Sequence, residues 1–214
     1  MPVSGDPVAQ GYVVASLARP GGNITGLTTL SSTPPAGKRL QLLKETVPPV
    51  SQVAVLWNPD NPAKVIDFRE TQVAAEALGL TLQSPEVRGP DDFDRAFEAA
   101  AAGHVDGLVA FSDLFLLPLA KPIAEFALKR RLPSIFADRP YVEAGGMMAY
   151  GPNTIDLIRR AASYVDKILK GTKPADLPVE QPTKFDFIIN LKTAQGLGLS
   201  IPQSILLQST EVLQ

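Results

Sequence analysis

Short apolar runs return at a nearly constant interval, and this repeat limits the fold more than any other feature of the chain. Gln52–Trp57, Thr81–Val87, Val105–Phe111 and Pro133–Ala137 are rich in strand-forming residues. They begin roughly every 25–28 residues, the length of one strand, one helix and their loops. Helical patterns fill the intervals. Ile66, Val73, Ala77 and Leu80 form one stripe, Phe93, Ala96, Phe97, Ala100 and Ala101 a second, and Leu119, Ile123, Phe126, Ala127 and Arg130 a third. Pro122 falls in the first turn of the third, where proline is tolerated. A preceding helix carries Leu40, Leu43 and Val47 on one face and stops at Pro48-Pro49. A short strand, Met147–Tyr150, follows Gly145-Gly146. Strands that are apolar throughout suit a parallel sheet covered on both faces. The expectation is therefore an α/β, Rossmann-like three-layer αβα unit, with a five-stranded parallel sheet over residues 50–151 and right-handed crossovers.

The flanking segments are less regular. Asn153 is placed to cap a helix with Ile158, Ala161, Ala162, Val165 and Leu169 aligned, and Gly171 sits where a left-handed C-terminal residue is expected. Lys173–Pro178 reads as a connector, Phe185–Asn190 as a strand and Lys192–Gly198 as a short helix. At the start, Asp6-Pro7 opens a helix running through Val14 and Leu17, Arg19–Asn23 is a turn, and Ile24–Leu30 reads as a strand. A lone helix and strand cannot bury both faces, so this segment needs a partner sheet.

Composition removes several classes of function. The net charge of -2, with scattered basic residues, gives no electrostatic footprint for nucleic acid. Lys129-Arg130-Arg131 closes a helix, where cations are favoured. There is no cysteine, which rules out disulfides, thiol catalysis and sulfur-based zinc sites. The one histidine, His104, falls between a helix and a strand and reads as a solvated loop residue. No run approaches the ~20 apolar residues of a transmembrane helix. Met1–Asp6 lacks the basic and apolar regions of a signal peptide. No phosphate loop or Gly-x-Ser-x-Gly elbow occurs, and Gly196-Leu197-Gly198 lacks the third glycine of a dinucleotide fingerprint. No catalytic residue, cofactor or metal site is expected.

In open α/β sheets, ligands sit beyond the carboxyl ends of the strands. That rule selects Asn58, Asp60 and Asn61 after the first strand, Ser112 and Asp113 after the third, Asp138 and Arg139 after the fourth, and Tyr150 after the fifth. The set suits a small solute with charged or hydrogen-bonding groups. Asn58, Asp113 and Asp138 also fit a plainer role as caps of turns and helices.

Longer stretches carry a family resemblance. They are Asp6-Pro7, Ser16–Gly26 with its Arg-Pro-Gly-Gly-Asn run, Leu132-Pro133, Gly145-Gly146-Met147 with Tyr150-Gly151, and Ile168–Pro182 with Lys-Gly-x-x-Pro-Ala-Asp-Leu-Pro. Ile189–Ala194, Leu197–Leu199 and Ile201-Pro202 complete the match, which spans nearly the whole chain. The sequence resembles the ABC transporter substrate-binding protein family that includes tryptophan- and tyrosine-binding members. The resemblance implies a type I periplasmic binding fold: two Rossmann-like lobes, three hinge crossings, and a solute trapped between lobes that close. It adds Asp6 to the ligand-binding set. It implies a periplasmic or extracellular protein that delivers an aromatic amino acid, or a related acid, to a membrane permease. Family members begin with further βα units, so the chain is expected to lack the amino-terminal part. Residues 1–29 would be a remnant of lobe 1, 30–151 lobe 2, 152–172 a lobe 1 helix after the hinge, and 173–214 the lobe 2 carboxyl-terminal strand and helix. Self-association through the exposed lobe 1 surface follows as an expectation.

Two other readings stay open at this level. One is a small α/β enzyme using Asp113 and Asp138 as an acid–base pair. The other is a ligand-sensing regulatory domain, although no DNA-binding helix pair precedes the fold.

Overall fold

The computed structural model describes residues 14–29 and 35–214. In chain order the elements are α1 (Pro35–Thr46), β1 (Gln52–Leu56), α2 (Pro62–Leu78), β2 (Thr81–Gln83), α3 (Phe93–Ala102), β3 (Gly107–Ala110), α4 (Ala120–Lys129) and β4 (Ser134–Phe136). There follow α5 (Arg139–Glu143), β5 (Met148–Pro152), α6 (Thr154–Leu169), β6 (Phe185–Asn190), α7 (Leu191–Gly196), α8 (Gln203–Leu206) and β7 (Glu211–Leu213). The seven strands among the described residues form one sheet in the order β2-β1-β3-β4-β5-β6-β7. The pairs β1/β2, β1/β3, β3/β4, β4/β5 and β6/β7 are parallel. The sheet is larger than the expected five strands, because β6 and the unforeseen β7 extend the same sheet beyond β5. Asn190 joins β6 to the β5 side by donating its N–H to the Met147 carbonyl at 2.9 Å.

The apolar strands are explained by what covers them. Val53 and Val55 point into one core with Leu40, Leu43, Val109, Ile135, Met148 and Ile189, beneath α1, α7 and α8. Ala54 and Leu56 point the other way, with Phe93, Ala100, Leu108, Ile123, Phe136 and Tyr141, beneath α3, α4 and α5. A strand buried on both faces reads as a continuous apolar run rather than an alternation. Each fully buried Val, Leu or Phe is worth about 1.5–3 kcal/mol, so these two layers dominate the stability of the fold.

Local chemistry sets the helix ends. The Asn61 side chain accepts from the Ala63 N–H at 3.1 Å and caps α2, with Pro62 in its first turn. Gly79 closes α2 with φ 65°, a left-handed conformation that glycine takes without strain. The buried face of α2 is not the stripe read from sequence. Ala63, Thr71 and Ala75 face inward, whereas Val73 and Ala77 face solvent. The cause is close packing on α1: a side chain at Gly37 would come within 3.2 Å of Ala74 Cβ. Small residues mark the packed side here, and periodicity of large ones misleads.

The chain divides into two compact units. The first takes in the described residues 14–29 together with Pro152–Phe185, and the second comprises Pro35–Gly151 and Asp186–Gln214. The sheet and its helices belong to the second, apart from the ends of β5 and β6 at the unit boundaries. In the first unit, Leu27, Leu157, Tyr164 and Leu177 form a small buried cluster with Ala161 packed against it. Residues 173–184, grouped with lobe 2 on sequence, belong to this first unit. Val179 donates its N–H to the Leu17 carbonyl at 2.7 Å, Glu180 to Gly26 at 3.0 Å, and Thr28 to Glu180 at 3.0 Å. The Tyr164 hydroxyl donates to the Pro178 carbonyl at 2.6 Å. Of the strand expected at 24–30, the described residues 24–29 hold bridging positions only at Leu27 and Thr28, Leu27 pairing in parallel with Glu180. Val14–Leu17 is not helical, and the rest of the helix expected from Asp6 falls on residues outside those described.

Candidate functional site

The carboxyl ends of β1, β3, β4 and β5 gather a polar cluster in the second unit. The chain leaves β3 through Ser112 and Asp113 and leaves β4 through Asp138. Ser112 Oγ donates to Asp138 Oδ1 at 3.1 Å. Asn61 Nδ2 donates to Asp113 Oδ2 at 2.8 Å, and Asp113 Oδ1 accepts from the Phe115 N–H at 2.8 Å. Asp113 is buried and both of its oxygens are used. Asp138 differs. It precedes α5 in the cap position but makes no side-chain capping bond. Its Oδ2 is buried and has no hydrogen-bond partner among the described residues. Buried polar atoms are nearly always satisfied, and an unsatisfied one costs about 1–3 kcal/mol.

The electrostatics follow from burial. Desolvation raises the Asp138 carboxyl above the ordinary carboxylate range, against the Ser112 hydrogen bond and the charges of Arg39 and Lys64, which pull it down. Arg39, on α1, is fully buried, and its Nε donates to the Tyr150 carbonyl at 2.7 Å. Desolvation lowers the Arg39 guanidinium below its usual value, opposed by Asp67, Asp138 and Tyr150. Lys64 pairs with Asp67 at 2.5 Å. Tyr141, in the first turn of α5, is buried with its hydroxyl unpartnered among the described residues. Burial, then Asp138 and Asp113, push that hydroxyl above its ordinary range.

The residues selected from sequence therefore separate. Asn61 with Asp113, and Ser112 with Asp138, are brought into direct contact. Asn58 holds its own turn, its Oδ1 accepting from the Asp60 N–H at 3.0 Å. Asp60 turns to an exposed ion pair with Arg88. Arg139 pairs with Glu143 at 3.2 Å and with Glu211, which ties α5 to β7. Tyr150 is half-buried, its ring edge-on to Phe187 at 6.3 Å, and burial raises its hydroxyl. Asp6 lies outside the described residues. Sequence reading missed Arg39, Lys64, Asp67, Tyr141 and Trp57. Trp57 stacks on Phe68 at 4.5 Å, and its indole N–H has no partner among the described residues. Arg39 carried a readable signal: it lies four residues before Leu43, on the face that the apolar pattern assigns to the core. Among the described residues no group of His, Asp or Glu could hold a metal ion.

The sequence matches the profile of the ABC transporter substrate binding protein family over residues 2–213. The chain belongs to that family. No curated protein matches it. Solved structures do. One is a conserved domain protein from Vibrio cholerae O1 biovar El Tor, with 29% identity and a TM-score of 0.87, over 97% of this chain and 68% of that one. Another is an ABC domain from Streptococcus pneumoniae in complex with L-Trp, with 26% identity and a TM-score of 0.87, over 99% of this chain and 73% of that one. A ligand-free, open substrate binding protein with adhesive properties from Clostridium difficile shares the fold, at 23% identity and a TM-score of 0.71, over 100% of this chain and 70% of that one. The αβα architecture is that of a type I periplasmic binding protein. Family membership assigns a solute-binding role in ABC transport, with a small molecule as ligand and a permease as partner. Such proteins typically work in the periplasm or outside the cell. No described helix is long and apolar enough to cross a membrane.

Proposed function

We propose that this chain is the solute-binding component of an ABC importer, and that Asp138 anchors a protonated amino group of the solute. The observation that carries this reading is the Asp138 carboxylate. It sits at the carboxyl end of a central strand, held by Ser112 through one oxygen, with the other buried and unpartnered among the described residues. A cation that donates to Oδ2 would satisfy it and favour the ionised form that burial opposes. Tyr150 lies midway along β5 rather than after it, half-buried; it and Asp138 both interact with Arg39, and its ring offers an aromatic surface there. An amine joined to an aromatic body fits both, and L-Trp, the ligand named for the S. pneumoniae protein, has that chemistry. Asp113 is the less suitable anchor because Asn61 and the Phe115 N–H already occupy it. The same two bonds argue against an acid–base pair of Asp113 with Asp138.

The test is a titration followed by amide chemical shifts, which registers weak binding. L-tryptophan, L-tyrosine, L-leucine and L-glutamate are compared with N-acetyl-L-tryptophan. The expected result is a saturable response centred on Ser112, Asp138 and Tyr150 from a free amino acid, with none from the acetylated compound. An equal response to both tryptophan forms would remove the amine from the reading.

A further inference from the structure

Two adjoining cavities lie between α3 and α4, within the second unit. Asp94, Phe97 and Glu98 of α3 and Phe126, Lys129 and Arg130 at the end of α4 line the larger, of about 270 Å³. The other, of about 160 Å³, shares Phe126 and Arg130 and adds Ala101, Val105 and Leu132. The rings of Phe97 and Phe126 stack at 4.2 Å, and both are only half-buried. Helices α3 and α4 lead into the parallel neighbours β3 and β4, so they run in the same direction. Asp94 lies three residues before Phe97, and Lys129 three residues after Phe126. At 1.5 Å of rise per residue, each is about 4.5 Å along the helix from the ring pair, on opposite sides of it. The groove is therefore acidic at one end and basic at the other, with the stacked rings between.

We propose that this groove is a second binding site, for a small aromatic zwitterion with its ammonium and carboxylate groups at opposite ends of the ring. Charge decides the occupant. The other charges of the two helices find partners: Arg95 pairs with Asp92, and Lys121 with Glu125 at 3.9 Å. Asp94, Glu98, Lys129 and Arg130 have neither an ion pair nor a side-chain hydrogen bond among the described residues. Opposite charges thus face one cavity without closing on each other. Asp94 in a first turn and Lys129 in a last turn also suit the helix dipoles, which give no reason for Glu98 in mid-helix. A ring laid against Phe97 and Phe126 would place an ammonium group toward Asp94 and Glu98. Its carboxylate would lie toward Lys129 and Arg130, whose guanidinium can hold both oxygens. An α-amino acid carries both charges at one end of its ring and matches the groove poorly. Exposed ion pairs are weak, so the expected dissociation constant is about 1 mM. The inference is independent of the solute site.

Amide chemical shifts of the 214-residue chain, followed while para-aminomethylbenzoate is added, test it. The expected response is saturable, centres on Phe97, Glu98, Phe126 and Arg130, and leaves Ser112 and Asp138 unmoved. Benzylamine and benzoate carry one charge each, and L-phenylalanine carries both at one end. All three should bind this groove about threefold more weakly, or worse. Glu98→Gln and Arg130→Gln, both at exposed positions, should each weaken binding of para-aminomethylbenzoate by about twofold to fivefold. Lys121→Gln, which removes a charge of α4 outside the groove, should leave it unchanged. The absence of a saturable shift at the groove would overturn the proposal. So would equal binding of the one-charge compounds, indifference to both Glu98→Gln and Arg130→Gln, or a response that moves Ser112 and Asp138 in step with the groove.

Discussion

Strand β1 and helix α6 are both apolar on two faces, and they meet different fates. In β1, Val53 and Val55 are covered by one helix layer, and Ala54 and Leu56 by the other. In α6, Leu157 and Tyr164 are covered, while Ile158 and Val165, only one residue away from each, stand in solvent. The two segments differ in what the described residues supply to cover them. Around the sheet, each layer has its counterpart, and the polar end of the strands can be specialised because the rest is satisfied. The first unit holds together through a small cluster and a few backbone bonds, with a second apolar surface left over.

Paired substitutions sharpen the contrast. Leu108→Ala removes a side chain that is fully buried in β3. It should cost about 2–5 kcal/mol, read as a lowered urea midpoint with little change in slope. Ile158→Ala is the opposite case. Measured at concentrations low enough to keep the chain monomeric, it should change stability by no more than about 0.5 kcal/mol. A loss of more than about 2 kcal/mol from Ile158→Ala in the monomer, the scale of a buried site, would mean that α6 is covered on both faces within one chain, and the contrast would fail.

The parallel sheet was legible because its signal is repeated. Runs such as Val53–Leu56 and Gly107–Ala110 recur with turn residues between them, and each repeat supports the others. Gly146 and Gly151 were also readable as parts of the family resemblance, and the structure supplies their physics. A Cβ at Gly146 would meet the Phe136 ring at 2.4 Å, and one at Gly151 would meet the Ala137 carbonyl oxygen at 2.0 Å. The elements that were missed are short. α5, α8 and β7 are five, four and three residues long, too brief for periodicity to declare them. The polar cluster was half legible. Topology alone selected Ser112, Asp113 and Asp138, because each follows a strand. Arg39, Lys64 and Asp67 enter from helices α1 and α2, and nothing about strand ends points to them. Nor does the sequence reveal that Asp60 and Arg139 find partners elsewhere in Arg88 and Glu211.

The central claim rests on Asp138, and Asp138→Asn tests it while keeping the shape of the side chain. Burial raises this carboxyl above its ordinary value of 3.8. The native state therefore holds the proton more tightly than the unfolded chain, and the contribution of this group to stability falls as pH rises from 3.8 through the raised value. At neutral pH the ionised form is a cost to the ligand-free protein, and the amide of the variant cannot ionise. The account predicts that Asp138→Asn leaves the free protein as stable as before, or more so. It predicts also that the variant weakens binding of an amine-bearing solute by about 2–5 kcal/mol, the scale for removing one partner of a buried charged contact. Isothermal titration and thermal unfolding of both forms at neutral pH give the two numbers. Unchanged affinity, or a fall in affinity matched by an equal fall in stability of the free protein, would contradict the account.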